Sequence, residues 1–286
     1  MSTNIDWRRI AAPQADGYDT DIVVALASSG PSLLRPMPWQ RRAPDGAPTL
    51  FGGRVAIRNR AEPGLAPPRY APAAPDHPHL AIAEALLDAW PEAAAQVPRL
   101  LDTIEVYTDT SMPPDIWLRV PGSSSHSLEA EFGTIMVTID SPIALAQAIV
   151  HEMAHHKLRA LGVSLEQAQR LITNDPAALY RSPIITTRRR PMTAVLHAQY
   201  SFIHVTALDV AIHDATATPA DQKRLALFLL ARNVPRMEAG FEEIRAHVQT
   251  DANGAVFIDA FMTWSSQVLT RARAILEVNG FGTPAL

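Results

Sequence analysis

The sequence predicts an α+β protein that is mostly α-helical, with a small mixed or antiparallel sheet packed on a metal-bearing helix and a helical lobe after it. Two short stretches rich in β-branched residues, 103–108 and 133–139, predict strands. The apolar stretch around residue 151 and the chain beyond residue 191 have the spacing of helices. With 286 residues, 47% apolar and 19% charged, the chain can bury a full core.

Proline divides the chain into two predicted regions. Twelve of the 24 prolines lie between Pro13 and Pro78, a density that prevents long helices because proline lacks a backbone N–H. We therefore predict that residues 1–78 form an irregular, Pro-rich N-terminal region that wraps the body and contributes a strand or a helix to it. Residues 79–286 are predicted to form the metal-dependent domain.

The first half of the second region alternates between helix and strand patterns. Apolar residues at helical spacing predict a helix over residues 80–95. Alternating and β-branched stretches then predict strands at 103–108, 117–120 and 133–139, with a loop at 121–126.

Helices are predicted for the remainder of the chain. Ser141 and Pro142 supply an N-cap and a first-turn proline, and this helix runs to about Leu161, where Gly162 ends it. Ser164 to Gln167 fits a capping box. Further helices are predicted over 191–214, from Thr218-Pro219 to a break or restart at Pro235, and over 257–276.

Composition limits the chemistry and the partners of the chain. It has no cysteine, so disulfides, thiolate ligands and Cys nucleophiles are excluded, and a metal must be held by His and carboxylates. The net charge of −4 predicts no nucleic acid and no membrane surface as partner. Residues 1–10 carry Asp6, Arg8 and Arg9 where a signal peptide has its apolar core, so we expect a cytoplasmic location.

Residues 151–155 read His-Glu-Met-Ala-His, an HExxH motif inside the predicted helix. His151 and His155 are four residues apart, so their imidazoles share one helix face and can bind one metal ion. Glu152 lies about 100° round the helix. From there it can contact a water or another ligand on the metal. The alternative is a pair of surface histidines, and the apolar context favours the metal site.

Two histidines leave a catalytic metal short of ligands, so a third protein ligand is expected. The metzincin pattern requires a histidine six residues after His155, but that position is Leu161. Glu166 could supply a carboxylate, although its capping segment favours a solvent-facing position. His197 is the preferred candidate, because it lies on an otherwise apolar helix where an unpaired imidazole would be costly to bury.

Other side chains near these positions are candidates for supporting roles. Tyr200 and His204 follow His197 on the same predicted helix, and with Glu152 they are expected to act beside the metal rather than on it. His156 points away from the other two histidines of the motif, which favours a supporting or surface role. His126 lies in a Ser-rich loop that could approach the site.

An arginine run precedes the helix of His197. Arg188, Arg189 and Arg190 have the ordinary interpretation of a solvated loop. The functional alternative is that one guanidinium, most simply Arg190 at the helix start, binds a carboxylate through two hydrogen bonds. Arg181 is another candidate for the same role.

Several segments together resemble the bacterial HEXXH-motif family of 2-oxoglutarate-dependent peptide β-hydroxylases. The resemblance covers roughly residues 80–275, and its most specific parts are the ordered Arg-Pro and Leu-His-x-x-Tyr-x-Phe segments. The matching segments are Ala146 to Leu158, Tyr180-Arg181-Ser182-Pro183, Arg190-Pro191-Met192 and Val195 to Phe202.

The resemblance implies Fe(II), 2-oxoglutarate and O₂ acting on a ribosomally synthesised precursor peptide. His151, His155 and His197 would bind iron, and Arg190, with Arg188 or Arg181 as alternatives, would bind the distal carboxylate of 2-oxoglutarate. Glu152 would support the site. Three histidines depart from the usual set of two histidines and one carboxylate, so direct binding of the metal by Glu152 or another carboxylate stays an open alternative. A partner that binds the leader peptide stays an open alternative.

Two other functions are consistent with the motif. One is a zinc metallopeptidase in which Glu152 is the general base and the strand at 133–139 pairs with an extended substrate. The other is a metal-binding or peptide-recruiting module without activity. The arginine separates the first two hypotheses, because a peptidase needs no guanidinium near its metal.

Overall fold

The computed structural model describes residues 5–29, 46–59, 69–111, 113, 116, 121–127 and 131–281. Within these ranges the helices are α1 (Tyr18–Ser29), α2 (His79–Leu87), α3 (Pro91–Leu100), α4 (Pro142–Ala160), α5 (Met192–Asp214), α6 (Ala220–His247) and α7 (Ala252–Val278). The strands are β1 (Thr49–Leu50), β2 (Val55–Arg58), β3 (Tyr70–Pro72), β4 (Thr103–Asp109), β5 (Ser125–Ser127) and β6 (Thr134–Thr138). The predicted α+β class, mostly helical, is confirmed.

The strands form one mixed sheet in the order β1-β2-β4-β6-β5. Strands β2, β4 and β6 are parallel, and β1 and β5 are antiparallel to their neighbours. Strand β3 is antiparallel to the second half of β4, beyond the residues that pair with β2. Strand β6 lies between β4 and β5, so the predicted pairing of residues 133–139 with a substrate is wrong: both edges of this strand are already occupied.

The N-terminal region is part of this sheet and of the same core. Strands β2 and β3 pair directly with β4, and Trp7, Ile10 and Val23 belong to the main cluster of buried apolar side chains. Its described part contains a helix and three strands, more regular structure than the proline content predicts. The boundary predicted at residue 78 therefore separates segments that share hydrogen bonds and core.

Helix α4 carries the HExxH motif and is buried along almost its whole length. Its predicted bounds are confirmed: Pro142 is in the first turn, and Gly162 follows with a positive φ of 86°. The helix packs on the sheet, on α2 and α3, and on α5. On the side of the N-terminal region, the buried Lys157 forms an ion pair with Asp19 at 2.7 Å.

Proline has different effects at two positions of the helical parts. The helix predicted over 80–95 is two helices, because Pro91 has no N–H to continue α2 and Trp90 before it leaves the helical conformation. The break predicted at Pro235 does not occur, and α6 continues through it. Val234 and Met237 on either side are buried, and this packing offsets the lost hydrogen bond.

The segment from residue 161 to 191 contains no helix, so the helix start predicted at Ser164 is wrong. The capping hydrogen bond is present, from the N–H of Gln167 to Ser164 Oγ at 3.3 Å, but no apolar face follows it. The segment packs instead against the start of α7. The backbone of Leu171 approaches Gly254 so closely that a Cβ on Gly254 would lie 1.9 Å from the carbonyl oxygen of Leu171. The strand predicted at 117–120 lies outside the described residues.

Among the described helices, none combines the length and the apolar character that crossing a membrane requires.

Candidate metal centre

Helix α4 places the two histidines of the motif side by side. The Nε2 atoms of His151 and His155 are 3.0 Å apart. Burial lowers the pKa of His151, although Glu152 raises it, and burial together with neighbouring His151 and His197 holds the pKa of His155 well below its usual range. Both imidazoles are therefore neutral at physiological pH, the form that binds a metal.

The separation of the two Nε2 atoms fits metal coordination. At a metal–nitrogen distance of about 2.1 Å, adjacent ligands would be about 3.0 Å apart at 90° and about 3.4 Å apart in a tetrahedron. The observed 3.0 Å lies at the short end of this range. The same distance suits an N–H···N hydrogen bond, so it is compatible with a shared metal and identifies none. The donor set, imidazole and carboxylate without thiolate, fits iron and zinc alike.

The structure places His197 behind His155 rather than beside both motif histidines. His197 Nδ1 is 2.9 Å from His155 Nδ1, the ring nitrogen that does not contact His151. The other nitrogen of His197 is 2.9 Å from the carbonyl oxygen of Val163. Both ring nitrogens of His197 are thus engaged in hydrogen bonds, and His197 lies outside the group formed by His151, Glu152 and His155. Its role as the third ligand stays a prediction.

These contacts assign the tautomers. A carbonyl only accepts, so His197 Nε2 carries the hydrogen that bonds Val163, and burial lowers the pKa of His197 to about 3, which keeps the ring neutral. His197 Nδ1 is then an acceptor, and His155 Nδ1 donates to it. His155 Nε2 is then an acceptor, and its lone pair is directed toward His151 Nε2, 3.0 Å away. Such hydrogen bonds behind a ligand orient the ring and fix its tautomer.

Glu152 is the third potential ligand beside the two histidines. Among the described residues, the group with ligand atoms all within 4.8 Å of one another is His151, Glu152 and His155. The Glu152 carboxylate lies 3.9 Å from His151 Nε2 and is buried. Each of its oxygens accepts a hydroxyl hydrogen from strand β5, one from Ser125 at 2.7 Å and one from Ser127.

The serine that holds Glu152 is itself held by a cation. Arg159 donates to Ser127 Oγ at 2.8 Å and to the Ser127 carbonyl at 3.2 Å. Because the guanidinium can only donate, the Ser127 hydroxyl must direct its hydrogen to Glu152. Arg159 and Glu152 both lie on α4, so both side chains join this helix to strand β5.

His151 opens onto a cavity of about 510 Å³, in the size range of small-ligand sites. Its side chain is 19% exposed, whereas that of Glu152 is 3% exposed. The ring of Phe202 contacts His151 edge to face, with 5.0 Å between centroids. The other residues lining the cavity are Tyr70, Gly122, Ser123, Ser124, Ser125, Gln147, Ala148, Ile184, Val205, Arg232 and Arg236.

Two arginines one turn apart on α6 face this cavity. Arg232 is half-buried and donates to the carbonyl of Pro121 at 3.2 Å; Arg236 is exposed. Burial lowers the pKa of Arg232, the charge of Asp209 raises it, and neighbouring Arg236 lowers it again. An anion between the two guanidinium groups would relieve this repulsion. The cavity thus has His151 on one wall and a pair of cationic side chains on another.

The arginines predicted from the sequence are not at this cavity. Arg190 pairs with Tyr180 through two backbone hydrogen bonds of 2.7 and 2.9 Å, which close the loop before α5. Arg181 and Arg188 line a second cavity together with Arg189. The guanidinium groups that line the cavity at His151 belong instead to Arg232 and Arg236 of α6.

Tyr200 and His204 lie away from the metal face, in an aromatic cluster between α5 and α7. Their ring centroids are 4.5 Å apart, and His204 is 4.7 Å from Trp264. Both side chains are fully buried, and His204 Nδ1 donates to the carbonyl of Tyr200. Neither lines the cavity at His151, so the structure gives them a packing role rather than the predicted one beside the metal.

The remaining candidates are separated from the centre by geometry. His126 alternates with Ser125 and Ser127, so it projects from the opposite face of β5 and is exposed. His156 is buried against Phe132, with its Nε2 3.4 Å from the Thr134 carbonyl. Glu166 is exposed and is not in the metal group.

Several residues of the centre were missed in the sequence. Ser125 and Ser127 lie at the end of the predicted loop 121–126, and their alternation was the available signal for a short strand. Arg232 and Arg236 had a weaker signal, the spacing of four residues on a predicted helix. Their proximity to His151 depends on tertiary packing that no local pattern encodes.

No protein-family model matches the chain, and no curated protein matches it significantly. The resemblance described above rests on motif segments and stays a prediction.

Proposed function

We propose that the chain is a cytoplasmic Fe(II)- and 2-oxoglutarate-dependent oxygenase that hydroxylates a side chain of a ribosomally synthesised peptide. The observation that carries the proposal is the cavity with His151 on one wall and Arg232 and Arg236 on another. A dicarboxylate is the class of ligand that suits both walls, because one end can bind a metal and the other two guanidinium groups.

In the proposed reaction, 2-oxoglutarate takes up the oxygen atom of O₂ that does not enter the peptide. Peptide C–H, O₂ and 2-oxoglutarate give peptide C–OH, succinate and CO₂, with one oxygen atom in the hydroxyl and the other in succinate. Bound Fe(II) supplies the activation of O₂. The chain supplies two neutral imidazoles for the metal, a carboxylate fixed beside them, and an arginine pair that orients the co-substrate.

The serines give Glu152 a positioning role in this proposal. Both of its oxygens already accept hydrogen bonds from β5, so the carboxylate is fixed at 3.9 Å from His151 Nε2. It can keep a neighbouring water or the metal in place without removing a proton from the substrate. Hydroxylation of a carbon centre needs no such base.

The arginine pair gives the sharpest test. We expect Arg236→Gln to raise the KM for 2-oxoglutarate about tenfold or more, because a charge-assisted hydrogen bond is lost, while iron content stays unchanged. Arg190→Gln is the matched control and should leave that KM within about twofold. The measurement is succinate formed against 2-oxoglutarate concentration. If the control variant shows the larger effect, the anchor is Arg190 and the assignment to α6 is wrong.

A zinc peptidase is the second candidate, favoured by the position of Glu152 and by strand β5. Glu152 lies in the metal group and each oxygen keeps one further acceptor direction, enough to orient a water. Among the described strands, β5 is the last in the sheet, and it contacts α4 directly, so it could align an extended peptide beside the metal.

Metal and co-substrate dependence separates the two candidates. An oxygenase should form a visible absorption band anaerobically only with both Fe(II) and 2-oxoglutarate, and should release succinate in air. A peptidase should cleave peptides with zinc alone and lose that activity in Glu152→Gln. Absence of the band and of succinate, together with zinc-dependent cleavage, would replace the first candidate by the second.

A further inference from the structure

A second cavity, of about 640 Å³, adjoins the cavity at His151, since Arg236 lines both. Its walls are formed by the loop segment 181–189 and by residues 235–239 of α6. Four of the lining residues are arginines: Arg181, Arg188, Arg189 and Arg236. We refer to this cavity as the arginine groove.

The arginine groove carries more positive than negative charge in the described part of the chain. All four arginines are exposed, and among the described residues no carboxylate forms an ion pair with them, nor is any residue lining the groove acidic. The nearby acidic residues of α6 are already engaged: Glu238 with Arg273, Glu242 with Arg245, and Glu243 with the backbone N–H of Arg181. A basic surface thus lies beside the metal site in a chain with a net charge of −4.

The walls between the charges carry small apolar and hydroxyl side chains and are non-aromatic. Pro183, Pro235 and Ala239 contribute the apolar part of the lining, Ser182, Thr186 and Thr187 contribute hydroxyl groups, and none of its described residues is Phe, Tyr, Trp or His. Sites for single-stranded nucleic acid combine basic side chains with aromatic rings that stack on bases, and such rings are missing from this lining. Small apolar contacts flanked by guanidinium groups suit a polypeptide that carries carboxylates beside small side chains.

We propose that the arginine groove binds an acidic segment of the peptide substrate, next to the residue that reaches the cavity of His151. Arg236 is the point at which the peptide passes from one cavity into the other. The identity of the occupant as substrate rests on the proposed function. Binding of an acidic peptide in the groove is independent of it.

The test measures binding to the full-length, metal-free protein without 2-oxoglutarate. The probes are fluorescein-labelled peptides of alternating Glu and Ala or of alternating Gln and Ala, followed by anisotropy at low and at physiological salt. We expect the Glu peptide to bind about tenfold tighter than the Gln peptide, and higher salt to weaken it. The double variant Arg188→Glu/Arg189→Glu should lose about tenfold or more of the affinity for the Glu peptide.

Arg54→Glu is the control. Arg54 is exposed in the β1–β2 turn, and β1 lies at the end of the sheet opposite β5. Its affinity should stay within about twofold of the parent. Equal binding of the Glu and Gln peptides, an unaffected double variant, or an equal loss in Arg54→Glu would overturn the proposal. So would tighter binding of a labelled single-stranded oligonucleotide that the double variant abolishes.

The two proposals fail separately. Selective binding of the Glu peptide without succinate production in any assay would retain the groove and reject the oxygenase. Succinate production with no preference between the peptides would retain the oxygenase and reject the groove.

Discussion

At the scale of single residues, the order of the imidazole contacts decides which nitrogen can bind a metal. His197 bonds the Val163 carbonyl through one nitrogen and His155 through the other. This chain of two hydrogen bonds ends on His155 and leaves its Nε2 lone pair facing His151. This order of contacts differs from an arrangement in which all three histidines bind one metal ion. The two arrangements predict different metal affinities when His197 is replaced.

We expect His197→Ala to weaken metal binding about 10- to 100-fold while a stoichiometric site is retained at high metal concentration. The reason is that the variant loses the group that orients His155, but both motif histidines remain. Metal affinity is measured by competition with a chelator. Tyr200→Phe is the control, because the Tyr200 hydroxyl lies in the aromatic core, and its metal affinity should equal that of the parent. Complete loss of metal in His197→Ala would restore His197 as a ligand.

The HExxH pair was predictable because the spacing of two histidines on a helix determines their proximity. The contacts of His197 could not be predicted in the same way. A histidine that binds a metal and a histidine that orients another ligand have the same sequence pattern, a histidine on an apolar helix. The distinction depends on which ring nitrogen of His155 is approached. Arg190 illustrates the opposite error, since its position before a helix looked favourable but its backbone closes a loop instead.

At the scale of elements, Asp251 joins the helix-free segment before α5 to the start of α7. Its Oδ1 accepts from the N–H of Gly254 at 2.7 Å, and its Oδ2 accepts from the N–H of Leu171 at 2.8 Å. Burial alone would raise the pKa of Asp251, but the backbone hydrogen bonds outweigh burial and lower the pKa below 3.8.

A carboxyl with a lowered pKa in the folded state stabilises the protein above the pKa of the unfolded chain. That stabilisation is lost as the pH falls through the folded pKa. We therefore expect Asp251→Ala to cost about 1–2 kcal/mol at neutral pH and progressively less in acid. Urea unfolding across this pH range measures it. Asp259→Ala, at an exposed position of α7 whose carboxylate lies 3.8 Å from the exposed guanidinium of Arg8, should cost less than about 1 kcal/mol at neutral pH; a loss as large as that of Asp251→Ala would remove the capping explanation.

Elements were predictable where a local signal coincided with an apolar face. Helix α4 begins and ends as predicted because Pro142 and Gly162 bracket a continuous apolar stretch. Ser164 shows the limit: its hydroxyl makes the expected capping bond, yet the following residues offer no apolar side for a helix to pack. Strand β5 escaped prediction because its three residues are stabilised by pairing with β6 and by Glu152.

At the scale of the whole molecule, the N-terminal region completes the structure that holds the metal helix. Asp19 from α1 bonds Lys157 of α4 at 2.7 Å, with both side chains fully buried, and Gln96 bonds both of them. Removing one member of a buried ion pair leaves the other charge without compensation, at a cost of about 3–5 kcal/mol. Strand β4 would also lose β2 and β3 as neighbours.

We expect a fragment of residues 79–286 not to fold alone. The expected cost of the unpaired Lys157 is a large part of the about 5–15 kcal/mol that typically stabilises a folded protein. Thermal unfolding followed by circular dichroism should show a cooperative transition for residues 1–286 and none for the fragment. A cooperative transition in the fragment would establish residues 79–286 as an independent domain.

The proline count was a poor guide at this scale. It could not reveal that short strands at residues 49–50, 55–58 and 70–72 enter the sheet. Strands β2 and β3 are stabilised by β4, whose paired residues lie 35 or more positions along the chain, whereas β1 pairs with the neighbouring β2. Sequence patterns within a short window do not contain that information.

The hydroxyl bonds between β5 and Glu152 give the sheet edge a fixed register. Shifting the strand by one residue would turn His126 toward the carboxylate and both serines away from it. A metal ion bound by His151 and His155 would restrict the motion of Glu152. Because Glu152 is hydrogen-bonded to β5, it would then oppose a one-residue shift of this strand. Iron or zinc should therefore slow amide hydrogen exchange at residues 125–127, while exchange in the β1–β2 turn stays as it was. Hydrogen exchange in β5 would then detect metal binding although the backbone of this strand does not contact the metal.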